Sequence, residues 1–236
     1  MQSYRSCFLR LILSSLILSS VSFLAAASAA EAQHSPPVDQ IVAELTQGNQ
    51  RFIAGHPRHP HCGPDDVRKN AREGQHPQVA VLACADSRVP PEILFDKGIG
   101  DLFSIRVAGN VANEDEIASI EYAVAHLHVP LILVLGHTQC GAVTAVVEDE
   151  ELDDNLKHLT AHIREAVHAT QKSHPELRGA GLVAAAVEVN VRESIAGMLR
   201  NSELIRQQAE AGKVKVEGAI YDLESGKVRW MKAPGR

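Results

Sequence analysis

The sequence predicts an α/β fold: a single domain with a mostly parallel β-sheet flanked by helices and preceded by an N-terminal helical arm. Three observations carry this. Short apolar runs at QVAVLACA (78–85), DLFSIRVAG (101–109) and VPLILVLGH (129–137) read as strands; the first reads as buried on both faces, and the third is the most apolar. Amphipathic helical segments alternate with these strands, the pattern of parallel layers. A chain of 236 residues, 45% of them hydrophobic, suits one sizeable core.

The elements follow in order. In residues 1–30, Arg5 and Arg10 lead into LILSSLILSSVSFLAAASAA, and Ala27-Ser28-Ala29 fits an A-x-A cleavage site. This reads as a secretory signal peptide, placing residues 31–236 in a secreted or periplasmic domain with no membrane association after cleavage. An uncleaved anchor is the alternative, because the run is nearly long enough to span a bilayer. Val38, Ile41, Val42, Leu45, Phe52 and Ile53 have helical spacing, so 37–55 is expected to be a helix. A Pro- and His-rich loop, GHPRHPHCGP, is followed by a short polar helix over 65–72 and the turn GQHP. Helices are expected over 116–127, 140–148, 152–170, 181–201 and 202–211. KVKVEGAIYDL and KVRWM close the chain as strands around the turn ESG.

Composition removes some functions. The formal net charge is −6, and −8 without residues 1–30, which carry two arginines and no acid. No basic residues cluster on a helix and aromatics are only 4%, so nucleic acid is not an expected partner. Without Cys7 three cysteines remain, Cys62, Cys84 and Cys140, an odd number for a disulfide framework.

Chemistry collects at two strand ends. In an open parallel sheet, ligands bind beyond the carboxyl ends of the strands. Cys84 ends the first strand, and His137 and Cys140 lie just past the third. His137 and Cys140 are three apart, so a tight turn into a helix lets both face one point. Two thiolates and one imidazole are a three-ligand zinc set; three protein ligands with an open position are the pattern of a catalytic site. Asp86 is the only nearby candidate for a fourth ligand. In the His-rich loop, His56, His59, His61 and Cys62 make a weaker case for a second metal, because prolines stiffen the loop and no carboxylate sits among them.

CADSRV (84–89) followed by HTQCGA (137–142) resembles the β-class carbonic anhydrases, with their Cys-x-Asp-x-Arg motif and later His-x-x-Cys. GNQRF, GQHP, DLFSIRVAGNVAN, SIEYAVAHL and VLGHTQCGAV fall in the family's order, so the resemblance covers most of residues 31–236. It implies one zinc ion per subunit on Cys84, His137 and Cys140, and reversible hydration of carbon dioxide to bicarbonate by zinc-bound hydroxide. It implies that Asp86 orients the nucleophile or, conditionally, becomes the fourth ligand, and that Arg88 decides between the two by holding the carboxylate. It also implies that Gln75 donates to substrate from a neighbouring subunit, that Phe103 and Tyr122 line an apolar carbon dioxide pocket, and that Gly109 and Gly141 let the backbone approach the site. Val81 stands where a regulated subgroup has Trp, which implies no second bicarbonate site and an open form near neutral pH. The N-terminal helix is expected to pack across a partner in a homodimer or tetramer. Hydrolysis of carbonyl sulfide or carbon disulfide on the same site, and a non-catalytic zinc-binding thiol protein, are the rival functions.

Overall fold

The computed structural model describes residues 36–232, and the expected signal peptide lies outside them. The elements are α1 (Val38–Ile53), α2 (Pro64–Glu73), β1 (Val79–Cys84), α3 (Pro91–Leu94), β2 (Leu102–Val107), a 3-10 turn (Ala108–Asn110), α4 (Glu114–His126), β3 (Leu131–His137), α5 (Gly141–Val147), α6 (Asp154–Ser173), α7 (Gly179–Asn201), α8 (Glu203–Glu210), β4 (Lys215–Tyr221) and β5 (Val228–Trp230). No helix among the described residues is long and apolar enough to cross a membrane.

The five strands run in the order β2-β1-β3-β4-β5. Four are parallel and β5 pairs antiparallel with β4. From β1 the chain first moves to one side to make β2, then crosses to the other side to make β3. This reversal opens a crevice beyond the carboxyl ends of β1 and β3, the place where such sheets bind ligands.

The pleat sorts the apolar residues into two cores. Ala80, Leu82, Cys84, Ile132 and Val134 meet helical residues such as Ile120, Ile163 and Val187. Val79, Val81, Ala83, Leu131, Leu133 and Leu135 meet Ile41, Leu45, Leu94 and Phe95. Both faces of β1 and β3 are therefore buried, which explains their continuous apolar sequence.

The second core also gives α1 a place on its own sheet. This helix buries Ile41 and Leu45 within its own subunit. Most of the other helices serve the opposite core, so α1 and α3 supply cover for this face. Asn49 fastens the arrangement: its Nδ2 donates to Leu94 O and Gly226 O, at 3.2 and 2.9 Å, and its Oδ1 accepts from Val228 N at 2.9 Å. Two residues further along α1, Arg51 Nε donates at 2.6 Å to the fully buried Asp96 carboxylate, which also accepts from the backbone N–H groups of Arg58 and His59, both at 2.9 Å. Burial alone would raise the Asp96 pKa; the two N–H groups and the guanidinium outweigh it and hold the value below normal.

Candidate metal centre

Each ligand is delivered by a different structural device. Cys84 is the last residue of β1, and its register partner on β2 is Val107. His137 ends β3 and Cys140 caps the N-terminus of α5. Ala83 pairs with Leu135, so the ends of β1 and β3 are adjacent. The two sulfurs and a histidine nitrogen all lie within 4.8 Å of one another, and all three residues are buried.

The polar surroundings fit a cation. His137 Nδ1 contacts the Thr138 carbonyl at 2.9 Å, which sets that nitrogen as the donor. Its Nε2 is then a buried acceptor with no hydrogen-bond partner among the described residues. Such an orphan is costly unless a ligand satisfies it. Cys84 Sγ accepts from Gly109 N at 3.3 Å and from Asp86 N at 3.4 Å. The contact with Cys140, followed by those with His137, Asp86 N–H and Gly109 N–H, pulls the Cys84 thiol well below its ordinary pKa against the effect of burial. The same contact, together with burial, pushes Cys140 up. A cation bound here would favour both sulfurs as thiolates.

Asp86 and Arg88 stand at the mouth. Arg88 Nε donates to Asp86 Oδ1 at 3.0 Å and its terminal nitrogen donates to Oδ2 at 2.7 Å. Arg88 N also donates to Oδ1, at 2.9 Å. Asp86 Oδ2 lies 3.9 Å from His137 Nε2, so the carboxylate borders the space that the orphaned nitrogen faces. The Arg88 hydrogen bonds hold the Asp86 pKa down to about 2.

The fold and this site agree with known proteins. The family model described as carbonic anhydrase matches residues 79–228, more than half of the chain. The chain belongs to the carbonic anhydrase family. Carbonic anhydrase 2 of Mycobacterium tuberculosis is 38% identical over 188 residues, covering 78% of this chain and 87% of that protein. The carbonic anhydrase of Mycolicibacterium smegmatis is 41% identical over 186 residues, covering 78% and 88%. Among solved structures, a tetrameric β-carbonic anhydrase of Sordaria macrospora has a TM-score of 0.67 at 25% identity, covering 83% of this chain and 98% of that one. A β-carbonic anhydrase of Aspergillus fumigatus has a TM-score of 0.68 at 26% identity, covering 84% and 92%. Fold and Cys-His-Cys ligand set together place the chain in the β class.

The remaining sequence-predicted site residues are distributed unevenly for a carbonic anhydrase of one subunit. Gly109 is at the site: its φ is +71°, and a Cβ there would come within 2.5 Å of Ile163 Cδ1. Gly141 opens α5 beside Cys140, and among the described residues of its own subunit a Cβ there would meet nothing within 4 Å. Gln75 is exposed and precedes β1, at the end of the sheet away from Cys84. Five strand steps of about 3.3 Å each separate Val79 from Cys84, so Gln75 does not reach its own metal centre. Phe103 is also remote: it pairs with Ala80, four positions before Cys84. Its ring packs against Tyr122, with centroids 6.1 Å apart, and Tyr122 is 47% exposed. In the His-rich loop, His61 Nδ1 instead contacts Asp101 at 2.9 Å, and Cys62 is exposed.

Three contributors were not read from the sequence as part of the site. Thr138 supplies the carbonyl behind His137, a main-chain role that leaves no residue signature. Asn190 of α7 donates to Gly109 O at 2.8 Å and so steadies the turn that serves Cys84; a buried Asn in an apolar helix was its signal. Arg106 of β2 reaches the loop after Cys84.

Proposed function

We infer that this carbonic anhydrase uses zinc, held by Cys84, His137 and Cys140, to interconvert carbon dioxide and water with bicarbonate and a proton. The observation that carries this reading is the buried, unpartnered His137 Nε2 facing two sulfurs, with an ionised Asp86 alongside. Two thiolates and an imidazole suit zinc, and three protein ligands leave a fourth place free. The chemistry that zinc supplies when bound is Lewis acidity, which makes water acidic enough to furnish hydroxide near neutral pH.

The chain's own residues direct the rest. With its pKa held near 2, Asp86 is an acceptor only at neutral pH. It takes a hydrogen bond from the attacking oxygen and turns that oxygen's lone pair toward the carbon. Arg88 keeps the carboxylate in this pose and would keep it from ligating a bound cation. A carbon–oxygen bond forms, one carbon–oxygen π bond becomes the bicarbonate charge, and the water proton leaves to solvent.

Gln75, Phe103 and Tyr122 serve the site of another subunit in this reading. Their distance from their own metal centre, and the exposure of Gln75 and Tyr122, support a homodimer or tetramer. Residues 1–30 act as a cleaved secretion signal; N-terminal sequencing of the exported protein would show a start near residue 31, and retention of Met1 would refute this. Stopped-flow hydration of carbon dioxide, run beside hydrolysis of carbonyl sulfide and carbon disulfide, tests the substrate. Carbon dioxide is expected to react fastest, and a preference for either sulfur compound would overturn the assignment.

A further inference from the structure

We infer that Arg106 is a positioning residue for this reaction, one that holds the main chain between the first metal ligand and the orienting carboxylate. The inference rests on the role proposed for Asp86. Arg106 lies on β2 opposite Ala83, one position before the last β1–β2 pairing, Cys84 with Val107. Its Nε donates to Cys84 O at 3.1 Å and its terminal nitrogen donates to Asp86 O at 2.6 Å. One planar guanidinium therefore spans the two carbonyls on either side of Ala85.

This placement matters because β1 ends there. Ala85 N still donates to Val107 O at 3.1 Å, and beyond it Asp86 has left the ladder. Besides Arg106, the Asp86 carbonyl accepts from Val89 N, at 3.0 Å. The Arg88 fork restrains the Asp86 side chain, but Arg88 sits on the same loop and would move with it. Arg106 comes from a different strand and ties that loop to the sheet. It fixes where the Asp86–Arg88 pair stands relative to His137 Nε2, now 3.9 Å from Asp86 Oδ2. Arg106 is itself exposed, so the fold does not depend on burying it.

The test compares Arg106→Ala, Arg106→Lys, Arg88→Ala and the double alanine variant as zinc-loaded full-length enzymes, with zinc content and melting temperature as controls. Arg106→Ala is expected to lower kcat roughly 10- to 100-fold, with KM and zinc content close to wild type, as a misplaced group of this kind does. Lysine keeps the charge but lacks the fork, so Arg106→Lys is expected to stay nearer to Arg106→Ala than to wild type. The double variant is expected to lose no more than Arg88→Ala alone, because both act through Asp86. In cobalt-substituted protein, Arg106→Ala is expected to shift the visible absorption bands in the same direction as Arg88→Ala. A kcat within twofold of wild type, a change confined to KM, full rescue by lysine, multiplicative losses in the double variant, or an unchanged cobalt spectrum would each overturn the role. If the wild-type protein hydrates no carbon dioxide, the proposed function fails; the cobalt comparison then decides on Arg106 by itself.

Discussion

Arg88 and Asp86 share two side-chain hydrogen bonds, at 3.0 and 2.7 Å, so the carboxylate beside the metal ligands is held by a neighbour only two residues along the chain. The Arg88 backbone N–H holds Oδ1 as well, at 2.9 Å, but leaves Oδ2 to the guanidinium. The fork fixes both oxygens, leaving Oδ2 turned toward His137.

Arg88→Ala is expected to release Asp86 toward the cation and to lower hydration at least about 100-fold. It should also return the Asp86 pKa, now about 2, toward its ordinary value of 3.8. The lowered folded-state pKa means that the contribution of this pair to stability is present above the unfolded-state value. It is lost as pH falls through the folded value near 2. Carbon-13 titration of the Asp86 carboxyl checks this: the wild-type midpoint should lie below that of the variant, and equal midpoints would remove the clamp.

Gly109→Ala is expected to weaken metal binding by about 10- to 100-fold, the usual cost of disturbing a group that supports a ligand. Alanine at φ +71° would also strain the backbone by about 1–2 kcal/mol. The N–H that Cys84 Sγ accepts would shift with it. Competition with a zinc chelator measures the effect, and unchanged affinity would contradict it.

Asp96→Ala is expected to destabilise the protein by about 3 kcal/mol, because it strands a partly buried Arg51 and two backbone donors at once. Urea unfolding reads this directly. Asp96 lies with the His-rich loop at the amino end of the sheet, so the zinc affinity of folded protein should not change.

Gln75 acting on a partner predicts complementation between two inactive chains. Co-expressed Gln75→Ala and Asp86→Asn subunits should form mixed oligomers in which some sites carry both native groups. Activity above that of either parent is the expected result. Mixed oligomers no more active than the parents would return Gln75 to a surface role.

Much of the fold was legible because β1 and β3 are buried on both faces and their helices are long enough to show a period. The metal triad was legible because Cys84, His137 and Cys140 fall at strand ends, where topology alone makes them neighbours. Other features left weaker traces. Helix α3 has four residues, too few for any periodicity, and opens on the second of two consecutive prolines. The packing of α1 on its own sheet depends on which face the other helices leave open, a tertiary fact. Arg106 occupies an ordinary strand position, and its partners are carbonyls, which every residue has. Asp96 looks like a surface acid until its left-handed backbone, at φ 47°, turns it inward.

Catalysis is expected to depend on zinc held by Cys84, His137 and Cys140. The carbon dioxide hydration rate of protein stripped by a chelator, then titrated with zinc while bound metal is counted, tests this dependence. Activity should vanish on stripping and return in proportion to zinc, reaching its plateau at about one ion per chain. Undiminished activity in metal-free protein, or none in protein carrying its full zinc, would contradict the account.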